Sequence, residues 1–315
     1  MRVLTPRVRA LIALALALGA VATAPPAAAT EERLRVLTTL PDLWSITRAL
    51  VGDLGEVKVA TRPGQNPHDL EIRPSQILLV KRAEILVRNG LDEDSWIDPV
   101  IESSGNPRLL RGAPSVIEAV RGLEVLKVRT GPIDRSLGDV HPSGNPHFTL
   151  DPGTLPVVTA NIVAGLARLR PDLAERLQTN RQAFLDEVSV ATRRWTDTLT
   201  PYRGEPVVSY HDSWPYFYRA FGLEELGIIK DRPGVPPSPQ HLVALIRRMR
   251  ERRAKVVLVE SWYPTATAET VARAAGARVL VVPQSPGAVK GTETYIAHLD
   301  ALVTSLARAL APGNP

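Results

Sequence analysis

Two short stretches of the chain place a histidine directly after Asn-Pro: Asn66-Pro67-His68 and Asn145-Pro146-His147. Proline fixes its own φ near −65° and pushes the preceding residue into extended geometry, so Asn-Pro reads as a turn presenting the next side chain at a loop edge. A rigid loop that aims one imidazole, built twice, is what a metal site assembled from distant segments needs. A third histidine, His211, follows the apolar run 206–210, and Glu260 closes the apolar run 256–260. Neutral imidazole binds Zn²⁺ at about 2.0–2.1 Å in four-coordinate geometry, whereas Mn²⁺ prefers carboxylate, carbonyl and water. A site built from His68, His147 and His211 therefore favours Zn²⁺ over Mn²⁺, and its fourth position falls to water or to Glu260. Of the other histidines, His241 in a helix first turn and His298 among Ala and Leu read as ordinary surface or half-buried residues. His141 reads as a solvated loop residue, or one that captures metal transiently.

The elements that must position these residues alternate. Strands are expected at 34–39, 57–61 and 85–88, with helices at 43–51, capped by Asp42, and at 75–82, capped by Ser75. Residues 108–112 and 123–128 are candidates for further strands. Residues 171–199 contain Pro only at the first position and no Gly, and Ala174, Leu177, Phe184, Val188, Ala191 and Trp195 form one apolar stripe. That segment reads as a single long helix acting as a strut. The pattern then restarts: strands at 206–210, 256–260 and 278–282, and helices at 216–221, 242–253 (capped by Ser238), 265–275 and 292–310. Nearly continuous apolar strands alternating with helices indicate parallel sheets covered on both faces, where ligands sit beyond the carboxyl ends of the strands. The expected architecture is α/β: two parallel-sheet lobes joined by a long connecting helix, with the metal site in the cleft between them.

Residues 1–29 have the form of a cleaved leader, with Arg2, Arg7 and Arg9 ahead of a short apolar run and Ala27-Ala28-Ala29 as the cleavage site. The division expected is leader 1–29, first lobe 30–170, connecting helix 171–200 and second lobe 201–315. Removing the leader takes away three Arg and no acid, lowering the formal charge from +5 to +2, so nothing in the charge points to nucleic acid. The chain has no Cys, which excludes disulfides, thiolate metal sites and thiol chemistry. A periplasmic protein held together by its hydrophobic core is expected.

Taken in order, Pro67-His68 with Pro74-Ser75, Asn145-Pro146-His147 with Leu150-Asp151-Pro152, His211-Asp212 leading into Tyr216-Phe217 and Phe221-Gly222-Leu223, and Val259-Glu260 form a recognisable series. The chain resembles the periplasmic solute-binding proteins of zinc and manganese ABC transporters, the cluster A-I or ZnuA-like group. The resemblance spans essentially the whole chain after the leader. It implies one metal held between two lobes and delivered, by a monomeric binding protein that is not an enzyme, to a membrane permease with its ATPase subunit. It also implies that His at the third position, here His211, goes with zinc, whereas manganese-type members carry a carboxylate there. The sequence departs from the group at two points. Where the group often has an aspartate after the last strand, this chain has Pro283-Gln284. The long His-rich loop of many zinc members is reduced to 129–145, with one His and the acids Asp134 and Asp139.

A zinc-dependent hydrolase is the competing reading, since three His and an open fourth position also describe catalytic zinc, with Glu260 as general base. No HExxH pair and no nucleophile or oxyanion motif accompanies it.

Overall fold

In the computed structural model the described residues are 33–128, 143–230 and 235–312. The expected leader, His141 and the acids Asp134 and Asp139 lie outside them. Two four-stranded, wholly parallel sheets make up the frame. The first contains β1 (Leu34–Thr38), β2 (Gly55–Val59), β3 (Ile85–Arg88) and β4 (Val116–Glu118), in the order β2-β1-β3-β4. The second contains β5 (Pro206–Ser209), β6 (Glu224–Ile228), β7 (Val256–Glu260) and β8 (Arg278–Val282), in the order β6-β5-β7-β8. The two orders are the same when read from each lobe's own first strand. In each sheet the order reverses beside the first strand, which places the ligand-binding crevice between β1 and β3 and between β5 and β7.

Helices α1 (Pro41–Val51), α2 (Pro74–Arg82) and α3 (Ile97–Ser104) cover the first sheet. Helices α4 (Leu155–Leu169) and α5 (Ala174–Leu199) follow, then α6 (Pro215–Phe221), α7 (Pro239–Arg252), α8 (Ala266–Ala275) and α9 (Tyr295–Leu310). Strand alternation sorts the side chains. Leu34 and Val36 of β1, with Val207, Val256 and Leu258 of the second sheet, point into one core shared by both sheets and filled by α1, α4, α5, α6 and α9. Leu37 and Leu86 face a separate cluster under α2 and α3, while Val208, Val257 and Val259 face another under α7 and α8.

Helix α5, 26 residues and so about 39 Å long, joins the lobes from inside that shared core. Its buried stripe is Leu177, Phe184, Val188, Ala191, Trp195 and Leu199; Ala174 at its start is half-buried. Asn180 Nδ2 donates to the Leu50 carbonyl of α1 at 2.9 Å, and Trp195 Nε1 donates to Asp300 of α9 at 2.6 Å. The helix is thereby fastened to both halves. Tyr295 completes the joint: its N–H donates to Ser45 Oγ of α1 (2.7 Å), its hydroxyl to the Thr149 carbonyl (2.8 Å), and its ring packs edge-on against Phe184 and Trp195.

Several expected details are corrected. Asp42 does not cap α1, because the helix begins one residue before it at Pro41; the half-buried Asp42 carboxylate instead accepts a hydrogen bond from Thr149 Oγ1. Nor does Ser75 cap α2: Gln76 Oε1 accepts the Arg73 N–H at the helix start (2.7 Å). Residues 107–109 form a 3₁₀ turn begun by Asn106-Pro107, and 123–128 are not strand; β4 lies between them. Strand β6 was not expected. Ser238 does cap α7, accepting the His241 N–H at 3.2 Å, and Gly222 ends α6 in the left-handed conformation, φ 71°.

Removing the Tyr295 hydroxyl (Tyr295→Phe) strands the Thr149 carbonyl and is expected to cost about 1–2 kcal/mol. Tyr295→Ala also empties the space between Phe184 and Trp195 and is expected to cost about 3–5 kcal/mol. Urea unfolding followed by circular dichroism measures both; a loss below about 0.5 kcal/mol in the Ala variant would contradict this placement of the joint.

Candidate metal centre

Each Asn-Pro-His stretch closes the same turn. The His68 N–H donates to Asn66 Oδ1 at 3.1 Å, and the His147 N–H donates to Asn145 Oδ1 at 3.1 Å. These are Asx-turns, in which the asparagine side chain replaces a backbone acceptor two residues back. Gly144 precedes the second one at φ 109°, and a Cβ there would collide with Val125 Cγ1, so only glycine fits. His68 lies in the long connection after β2, and His211 follows β5 directly. Among the described residues His147 follows no strand: it heads a 3₁₀ turn, Phe148–Leu150, that leads toward α4.

The three rings nonetheless meet. One nitrogen from each of His68, His147 and His211 lies within 4.8 Å of the other two, and the ring centroids are 5.1–6.0 Å apart. An ion 2.0–2.1 Å from three tetrahedrally disposed nitrogens requires them about 3.4 Å apart, so an inward shift on the order of an ångström completes the geometry. Among the described residues this is the group of metal-ligating side chains with that spacing. Glu260 is not in it. Its carboxyl is fully buried at the end of β7 and accepts the Trp214 indole N–H at 3.0 Å. Burial pushes it up to about 7, against the hydrogen bonds it receives.

Supporting residues that the sequence reading passed over come from the turn after β3. Glu93 Oε2 stands 3.6 Å from His68 Nδ1, where a carboxylate can orient a ligating imidazole. Leu91 and Asp92 hold left-handed φ of 55° and 63°, a strained pair that the residues around it secure. Asp94 accepts the Asn89 N–H (2.5 Å) and the Thr39 hydroxyl (2.7 Å), and the Arg88 guanidinium lies 3.4 Å away. Asn89 Nδ2 in turn donates to the Pro146 carbonyl at 3.1 Å, immediately before His147. The only sequence signal was an acid-rich run after Asn89-Gly90.

Across the cleft, Asn145 Nδ2 donates to the Asp212 carbonyl at 2.6 Å, beside His211. Lys127 bridges Asp212 and Glu225 at 2.6 and 2.7 Å. An open groove of about 650 Å³, lined by Asn66, His68, His211, Tyr263 and Lys230, leads to His68 and His211 from outside. His241 is structural, its Nε2 meeting the Ile228 carbonyl at 2.8 Å. His298 is a correction: rather than surface or half-buried, it is fully buried, donating from Nε2 to the Pro283 carbonyl at 2.9 Å. Burial pulls its imidazole down to about 4 despite that bond.

Two parallel-sheet lobes, an internal linking helix and an imidazole cluster at the cleft are the frame of a cleft-type binding protein. The profile of the family described as "Zinc-uptake complex component A periplasmic" matches residues 36–309, and the chain belongs to that family. Among curated relatives, the iron-binding protein YfeA of Yersinia pestis is 25% identical over 287 residues, covering 89% of this chain and 87% of its own. The zinc-binding protein AdcA of Streptococcus pyogenes is 22% identical over 271 residues, 82% of this chain; the chain spans about half of AdcA's length, 52%. A solved structure of a manganese-bound periplasmic metal-binding protein from Candidatus Liberibacter asiaticus superposes with a TM-score of 0.73 at 19% identity. The match covers 89% of this chain and 100% of that one.

The two displaced pKa values act in opposite senses on stability. His298 is neutral when folded, so its contribution is intact above about pH 6.5 and is lost as pH falls towards 4. Glu260 stays protonated when folded until about pH 7, so its contribution is intact at low pH and is lost between about 4.5 and 7. Each span corresponds to about 3 kcal/mol. In chelator-treated protein, Glu260→Gln should gain on the wild type by about that amount from pH 4.5 to 7, and His298→Gln from pH 6.5 down to 4. Chemical denaturation across pH measures the differences; parallel curves would refute the assignment.

Proposed function

We propose that this protein binds a divalent transition metal in the periplasm and hands it to the membrane permease of an ABC transporter, which a separate ATPase subunit drives. The reading rests chiefly on three imidazole nitrogens within 4.8 Å of one another, supplied by three loops from two lobes. Membership of an uptake-complex family supports it. The metal is cargo, held by His68, His147 and His211. Water takes the fourth position, because Glu260 lies outside the group of ligand atoms that come within 4.8 Å of one another. The leader 1–29 directs export, and the binding protein acts as a monomer without an enzymatic step.

Relatives carry different metals in their names, iron and zinc among them, so the choice of ion rests on the donors. Three neutral imidazoles suit Zn²⁺ better than Mn²⁺, which seeks oxygen. An imidazole must lose its proton to bind, so affinity falls as pH drops through about 6.5. Bound metal bridges the lobes and stabilises the folded chain by mass action, by about 4 kcal/mol at a thousandfold excess over Kd.

His68→Ala, His147→Ala and His211→Ala are each expected to weaken Zn²⁺ binding at least about 100-fold, since even outer partners of ligands are worth 10–100-fold. His241→Ala should leave it within about twofold. Competition calorimetry reads both, and elemental analysis of protein from its native periplasm should find zinc ahead of manganese and iron. Unchanged affinity in any of the three would remove that histidine from the site. Hydrolytic turnover by zinc-loaded protein would overturn the reading as a whole.

A further inference from the structure

The two Asn-Pro-His turns are alike in themselves and differ in what their asparagine reaches. Asn145 holds the His147 N–H with Oδ1 and, through Nδ2, the Asp212 carbonyl of the other lobe at 2.6 Å. Its backbone is fastened as well: the N–H donates to the Leu126 carbonyl (2.8 Å), and its carbonyl accepts from the Tyr216 hydroxyl of α6 at 3.2 Å. That hydroxyl also accepts the Leu126 N–H at 2.9 Å. Arg219 of α6 reaches Asp151, four residues past His147, at 2.8 Å. Asn66 holds the His68 N–H in the same way, yet among the described residues it makes no hydrogen bond to the second lobe and instead lines the open groove. The first loop also reaches across, Gly64 N–H donating to Ser285 Oγ at 3.2 Å, four residues before the histidine.

We infer that Asn145 is a positioning residue which locks His147 and His211 together as a preformed two-imidazole seat, leaving His68 as the ligand that joins last and leaves first. One amide spans both lobes, so the relative placement of two ligands is fixed before metal arrives. The cost of assembling the site then falls on one loop, 62–73, which carries no helix or strand and borders the open groove with Asn66, His68 and Asp69. Release to an acceptor begins at the same loop. The inference rests on the metal-binding reading given above.

The test applies one substitution to both turns. Asn→Asp keeps the Oδ acceptor of the Asx-turn and adds the same charge at each, but at 145 it replaces the donor facing the Asp212 carbonyl with a second acceptor. In the full chain loaded with Zn²⁺, stopped-flow transfer to a chelator should be at least tenfold faster in Asn145→Asp than in wild type, and within about threefold of wild type in Asn66→Asp. Hydrogen exchange should find 144–150 protected with or without zinc, and 62–73 protected only with it. Equal acceleration in the two variants, no acceleration in either, or zinc-dependent protection of both loops would overturn the inference. A lower melting temperature in Asn145→Asp with an unchanged transfer rate would reduce Asn145 to a structural role and overturn it too. Should Asn145→Asp not fold, Tyr216→Phe removes the hydroxyl bridge to Leu126, and the transfer rate is expected to rise at least threefold. A wild-type chain that holds no zinc would instead refute the metal-binding reading.

Discussion

Three imidazole nitrogens have to stay within a few ångströms of one another although their loops are far apart in sequence and belong to two sheets. Everything near the cleft serves that requirement. Asx-turns fix the backbone at His68 and at His147, and Asn89 anchors the peptide before His147 to the turn after β3. The buried Arg88–Asp94 pair stands behind Asn89 and resists its displacement. Such a pair is weak evidence of stability, because desolvation offsets its attraction. Its value here is geometric: it holds a turn whose backbone is strained at Leu91 and Asp92.

The repeated strand order gives the site its asymmetry. His211 and Glu260 flank the crevice between β5 and β7, where an open parallel sheet places its ligand. In the first lobe the equivalent crevice is lined by Thr39 and Asn89, which support the site, while the histidines arrive on longer connections. The imidazole cluster is thus one crevice position from the second lobe facing two loop positions from the first.

Much of this was legible in the sequence where one signal sufficed. β7 and β8 were found at their observed limits because each is four consecutive apolar residues bounded by one charged residue, and the long helix because nothing breaks its stripe. The histidine triad was legible because Asn-Pro turns and strand ends announce themselves locally. β4 was missed because three residues carry no period, and β6 because Glu224-Glu225 and Gly227 disguise an edge strand. Glu93, Asn89 and the reach of Asn145 depend on which segments become neighbours, which no local pattern encodes. His298 looked like a surface residue because its compensating acceptor, the Pro283 carbonyl, is visible only once α9 has docked.

The inner faces of both sheets close on the same set of helices, with α5 threaded through the middle. Each half therefore repeats a complete strand order without being a self-sufficient body. Cut away from its counterpart, either sheet would leave a bare aliphatic wall towards water, and a fragment of that kind clumps before it folds.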